Sequence, residues 1–158
     1  MCPSPRTAER GFTAVEIIIV IAVIGLIAAL AIPHLRAAKI HSNEVAASAS
    51  LRTIARATEQ YRSLMGRYPG VESGDGLADL AQPGSGATPL IDEALGSGTR
   101  GGYLFQFSVA GEEWACVATP SEPGRGSRSF YLDQSGLMRV ERDYFANDAA
   151  TSESPFVD

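Results

Sequence analysis

Gly11-Phe12-Thr13-Ala14-Val15-Glu16 opens the stretch that decides the fold, and Ile17-Ile18-Ile19-Val20-Ile21-Ala22-Val23-Ile24-Gly25-Leu26-Ile27-Ala28-Ala29-Leu30-Ala31-Ile32-Pro33 follows at once. As a helix, Phe12 to Ile32 extends about 31 Å, the thickness of a bilayer's hydrocarbon core. One carboxylate, Glu16, stands near its start. A charge at that depth is costly, so an ionisable residue inside an apolar span points to function rather than packing. An ordinary membrane anchor explains the length but leaves Glu16 unexplained. A secretory signal would have a shorter apolar core with a small-residue cleavage site after it, for which Ala28-Ala29-Leu30-Ala31 is the available mimic. Arg6 and Arg10 precede the span, so the positive-inside rule keeps that end cytoplasmic and sends everything beyond about residue 36 outward.

The short polar leader ending in Gly11, then Phe12, Thr13, Glu16 and the span, resembles the type IV pilin-like proteins. That class includes pilins and the pseudopilins of type II secretion. The resemblance covers about the first fifth of the chain. It implies that a membrane-embedded prepilin peptidase cuts between Gly11 and Phe12 and methylates the new amino terminus on Phe12. It implies further partners: other pilin or pseudopilin subunits, an inner-membrane assembly platform and membrane lipid. The subunit would sit first as a single-pass protein of the inner membrane, head outside the cytoplasm, and then in a pilus or a periplasmic pseudopilus. Phe12, Glu16 and Pro33 become the assembly residues. Glu16 lies about one turn from the amino group of Phe12, and in a bundle of such helices it can pair with that group on a neighbour. Two costly charges then neutralise each other and set register between otherwise slippery apolar helices. Pro33 either ends the helix or kinks it, and the helical pattern beyond it favours a kink.

Composition narrows the alternatives. The chain has 158 residues, enough for one modest domain and an anchor, and a formal net charge of −5. Removing Arg6, Glu9 and Arg10 with the leader takes −5 to −6. Lys39 is the single lysine and the arginines are dispersed, so no nucleic-acid partner is expected. Of the two cysteines, Cys2 falls in the leader. Cys116 is left alone, as a small buried apolar side chain, without the C-terminal disulfide that many pilins have.

From His34 to Met65 the sequence lacks glycine and proline and reads as helix. Ala47, Leu51, Ile54, Thr58, Tyr61 and Met65 recur at spacings of three and four and form one face. Arg52, Arg56, Glu59 and Arg62 lie off it, with Glu59 and Arg62 close enough to pair. Unbroken, Phe12 to Met65 makes a helix of about 80 Å. Gly66 and Pro69 stop it, and Gly66-Arg67-Tyr68-Pro69 resembles the turn after the long helix of many pseudopilins. His34 and His41 are two turns apart without a third ligand, so no metal is assigned to them.

The segment 67–102 is punctuated by glycines and reads as a surface loop, with single helical turns at Leu77-Ala78-Asp79-Leu80 and Leu90-Ile91-Asp92-Glu93-Ala94-Leu95. No Gly-Lys-Ser or Gly-Lys-Thr follows these glycines, so they make no phosphate loop. Then the period becomes two. Tyr103 to Val109, Trp114 to Thr119, Phe130 to Leu132 and Leu137 to Glu141 read as four strands joined by turns. Such a meander needs a cover, and the helix stripe supplies it.

The expected fold is therefore α+β: a long N-terminal helix, membrane-spanning in its first half, packed on a small antiparallel sheet of about four strands. The expected divisions are 1–11 leader, 12–35 membrane and assembly helix, 36–66 amphipathic stalk, 67–102 glycine-rich loop, 103–142 sheet and 143–158 acidic tail. The tail, with Asp143, Asn147, Asp148, Glu153 and Asp158, reads as solvated. Major pseudopilins bind calcium in a C-terminal loop, but the spacing here matches no calcium loop and no ligand is assigned. No cofactor is expected. Neither histidine has a serine or cysteine partner in context, and Ser135-Gly136 is turn chemistry, so an enzyme is not expected. The function these features imply is a structural filament subunit, a pilin or pseudopilin. The missing disulfide and the turn at Gly66 lean towards secretion, and the missing calcium loop leans away. The alternative is a membrane-anchored binding module with one N-terminal span.

Overall fold

The computed structural model describes residues 12–84, 87–142, 151 and 153–155. Helix α1 spans Ala14–Met65, without the break at Pro33 that a terminator would have made. Proline lacks the N–H that would bond the carbonyl of Ala29, so the helix runs through that point one hydrogen bond short. The chain divides into two compact units, Met1–Ala37 and Ala38–Asp158.

In the second unit, α1 lays one face on an antiparallel sheet. Ala47, Leu51, Ile54, Thr58 and Tyr61 are buried on that face, as the spacing predicts, and Ala57 and Ser50 join them. Met65 is not part of it: the last residue of the helix is 37% exposed. The core there is closed instead by Tyr68 and Pro69, which fold back after Gly66 donates its N–H to the Arg62 carbonyl at 2.9 Å. Arg62 hydrogen-bonds the Tyr68 hydroxyl at 2.7 Å and stacks over its ring at 4.6 Å. Glu59 accepts from the Trp114 indole N–H at 3.0 Å. Thus each member of the expected Glu59–Arg62 pair takes an aromatic partner. Among the described residues the buried Thr58 hydroxyl has no hydrogen-bond partner, and nothing in the structure explains it.

Among the described residues the sheet has five strands where about four were expected, in the order β1 (Thr99–Arg100), β2 (Tyr103–Ala110), β3 (Glu113–Pro120), β4 (Ser129–Asp133) and β5 (Met138–Glu141). All neighbours are antiparallel. The extra strand β1 lies inside the segment that reads as loop. Gly101 and Gly102 both have positive φ, 61° and 81°, which is the geometry of a two-residue hairpin turn, so these glycines pair strands rather than merely interrupt structure. The same segment holds α2 (Gly76–Ala81), capped by the Asp75 side chain, and α3 (Glu93–Gly96), capped by Asp92. Both helices are near the expected single turns, and Leu77, Leu80, Ile91 and Leu95 carry the core under them.

Alternation places Tyr103, Phe105, Trp114, Cys116, Ala118, Phe130, Leu132, Met138 and Val140 in the core. Burial pushes the Cys116 thiol up to about 12, so it stays a protonated apolar group at physiological pH. The tail is not solvated throughout. Ser154 is buried, and the Val140 N–H donates to the Pro155 carbonyl at 2.7 Å, which occupies part of the β5 edge. Asp143, Asn147, Asp148 and Asp158 lie outside the described residues.

A fragment beginning at Ala38 retains the whole hydrophobic core, whose earliest member in the chain is Ala47. We expect it to be a soluble monomer with both helix and strand in its circular dichroism spectrum. An unfolded fragment would show that the sheet is not covered by Leu51, Ile54 and Tyr61.

Candidate functional site: the start of the long helix and its anchors

The N-terminal half of α1 is one helix long and apolar enough to cross a membrane, and none of its most apolar stretch is buried within the chain. Ile18, Ile21, Leu26, Ile27 and Leu30 each expose more than half their surface. An apolar surface of this extent requires a cover outside the chain, of lipid or other helices.

Thr13 and Glu16 form the polar head of this surface. The Thr13 N–H and hydroxyl both donate to Glu16 Oε2 at 2.8 Å, and the Glu16 N–H donates to Thr13 Oγ1 at 3.3 Å. With α1 starting at Ala14, this is a capping box: Thr13 caps the helix and Glu16 reaches back. The arrangement gives Glu16 a role the sequence reading missed, although Thr-x-x-Glu ahead of an apolar run is its signature. It satisfies two N–H groups that would otherwise be orphaned in an apolar medium. Among the described residues Oε1 has no partner, so half of the carboxylate stays available to a group from outside. Phe12 precedes the cap and is 81% exposed. Gly11 lies outside the described residues. Pro33 is exposed within α1. Phe12, Glu16 and Pro33 are thus all at the surface, but Pro33 is some five turns from the cap and makes no common site with it.

A second polar set fastens the head to its helix. Asn43 Nδ2 donates to the Arg125 carbonyl at 2.8 Å. Glu44, buried, accepts from the Ser127 N–H at 3.1 Å and its hydroxyl at 3.0 Å, and Arg128 Nε stands 3.6 Å away. Tyr103, fully buried beside them, donates to the Arg128 carbonyl at 2.9 Å. Burial above all, and then the Glu44 charge, push the Tyr103 hydroxyl well above its ordinary range, while Arg128 opposes them. Gly126 makes the close approach possible, since a Cβ there would lie 2.0 Å from the Tyr103 hydroxyl oxygen. The sequence hint was faint: Glu44 has no Lys or Arg three or four residues away on its own helix.

Nothing in this arrangement resembles a catalytic constellation. His34 and His41 are exposed on α1. Among the described residues no group of three or more His, Cys, Asp or Glu side chains is placed to hold a metal ion.

A chain with an exposed apolar half-helix, a capped carboxylate at its start and a sheet clasped to its second half has the architecture of a pilin. The comparisons with known proteins agree. The chain is 33% identical over 66 residues to the type II secretion system core protein G of Pectobacterium carotovorum, covering 42% of each chain. It is 32% identical over 69 residues to the protein of the same name from Klebsiella michiganensis, covering 44% of this chain and 49% of the other. The chain thus spans less than half the length of these two relatives. It is 29% identical over 118 residues to the type IV wide pilus major component PilA4 of Thermus thermophilus, covering 74% of this chain and 84% of the other. No family model matches the chain, and no solved structure does. The chain is pilin-like. Its relatives are structural proteins rather than enzymes.

Proposed function

We propose that the chain is a pilin or pseudopilin subunit of a type IV filament-family machine, in type II secretion or a type IV pilus. The single observation that carries this reading is the exposed apolar half of α1 headed by Glu16, whose carboxylate is capped through one oxygen and open through the other. Membrane lipid covers the apolar surface before assembly, and neighbouring helices cover it afterwards. Prepilin peptidase cuts after Gly11 and methylates Phe12. Methylation leaves the nitrogen able to carry its charge, so it can pair with Glu16 of a neighbour. An inner-membrane platform then adds subunits. The relatives' names support both machines, with two from secretion and one from a pilus.

The test is the N-terminal mass of the native protein. A chain beginning at Phe12 and carrying one methyl group is expected. Gly11→Val should leave the leader attached, because the added side chain no longer fits a cleft built for glycine. A start after Ala31 would instead make the apolar stretch a secretory signal. An intact leader on the unsubstituted chain would make the protein a membrane-anchored binding module.

A further inference from the structure

Arg52 and Arg56 stand two residues either side of Ile54, which is fully buried against the sheet. At 100° per residue, both therefore project from the opposite face of α1. Both are exposed, and neither has an ion pair or hydrogen bond among the described residues. Like charges four apart on a helix repel; Glu59, three residues beyond Arg56, offsets this only in part because it is turned to Trp114, so an anion from outside relieves the pair further.

The matching anions lie at one end of the sheet. The β2–β3 turn carries Glu112, and Glu113 opens β3; both are exposed, and neither has a hydrogen bond or ion pair among the described residues. Beside them an open groove of about 320 Å³ is lined by Glu113, Tyr131, Asp133 and Gln134. Asp133 holds the next turn by accepting from the Ser135 N–H at 2.9 Å. Burial first, then the charges of Asp133 and Glu113, push the Tyr131 hydroxyl above the ordinary value, against the pull of Arg139 on the neighbouring strand.

Trp114 follows Glu113 and reaches Glu59, which puts the acidic end of the sheet level with residue 59 of the helix. Arg56 and Arg52 lie three and seven residues earlier, so about 5 and 10 Å lower along the axis. Cations and anions therefore occupy different faces and different heights of the same head. A contact between them is heterologous, and repetition of such a contact builds an open fibre rather than a closed dimer. We propose that Arg52 and Arg56 of one copy seat against Glu112, Glu113 and the adjoining groove of a second, parallel copy, and that this contact sets the axial step between neighbouring heads. The proposal rests on the filament reading above.

The experiment uses the full-length chain in its own cells, with N-terminal mass, sheared fibres and secretion as readouts. Charge reversal by Arg52→Glu with Arg56→Glu, or by Glu112→Arg with Glu113→Arg, should each lower assembly at least about tenfold, since like charges brought together across an interface are strongly unfavourable. Processing at Phe12 should be unchanged. Combining all four substitutions should restore assembly to within about threefold of the parent. Unchanged assembly in either reversal, or no rescue in the combination, overturns the contact while leaving the filament reading intact. A parent that is neither processed nor assembled overturns both. If a reversed chain fails to accumulate, a cysteine pair decides. Arg56→Cys with Glu113→Cys, oxidised with copper–phenanthroline, should give a ladder of linked subunits that neither single cysteine gives, and absence of the ladder rejects the contact.

Discussion

Glu16→Val is expected to insert, to be cleaved and to accumulate in the membrane, yet to assemble at well under a tenth of the parent level. Valine is more soluble in lipid than glutamate, so insertion does not suffer. In the proposed filament, assembly does, because removing one member of the Glu16–Phe12 pair would leave the other charge buried and unpaired, a loss of about 3–5 kcal/mol per contact. The capping box adds a second consequence. In the parent, Glu16 Oε2 holds the Thr13 N–H and hydroxyl, and valine frees both. Glu16→Gln separates the two roles. Its amide oxygen can still accept from Thr13, as glutamine does in capping boxes generally, but it brings no charge to a neighbour's amino terminus. If pairing with Phe12 drives assembly, glutamine should fail almost as fully as valine. If glutamine restores fibres, the carboxylate serves only as a cap. Comparison of membrane pools with sheared fibres or secreted substrate reads both outcomes.

Trp114→Ala is expected to cost about 3–5 kcal/mol, the range for truncating a buried aromatic to alanine. Trp114 is 3% exposed. Its ring stacks on Phe107 with centroids 5.9 Å apart and an interplanar angle of 15°, and its N–H reaches Glu59. The loss compares with a total of roughly 5–15 kcal/mol for an ordinary domain, so the head should unfold at much lower urea. Trp114→Phe keeps most of the packing and gives up the indole hydrogen bond, whose net worth is about 1 kcal/mol because exposed Glu59 regains water. Urea unfolding of the fragment from Ala38, followed by circular dichroism because the substitution removes the only tryptophan, measures both. Equal losses for alanine and phenylalanine would show that the hydrogen bond, rather than the packing, fixes this side chain.

Local patterns made most of the architecture readable. The apolar run, its single carboxylate and the stripe of Ala47, Leu51, Ile54, Thr58 and Tyr61 each depend on spacing along one helix. Spacing is visible wherever the period is kept. The strands at Tyr103 and Trp114 were legible for the same reason, with a period of two. Met65 marks the limit of spacing: it continues the stripe but is 37% exposed, and Tyr68 and Pro69 close the core in its place. β1 was hidden because a two-residue strand has no period, and Gly101-Gly102 reads equally well as loop and as hairpin turn.

The candidate site divides in the same way. Glu16 was conspicuous because any charge in an apolar span is, and Thr13 was already in view three residues before it. Spacing along the chain was thus enough for an apolar helix with a carboxylate in its first turn, its amphipathic continuation and the alternating strands after it. Which groups meet across long separations came from the packing of the sheet on the helix. Glu44 reaches Ser127 and Arg128, Asn43 the Arg125 carbonyl, Trp114 Glu59, and Val140 the Pro155 carbonyl. These partners lie tens of residues apart or at irregular spacing, so no periodicity announces them. They are chosen by which polar groups packing leaves to be satisfied once the sheet has closed on the helix.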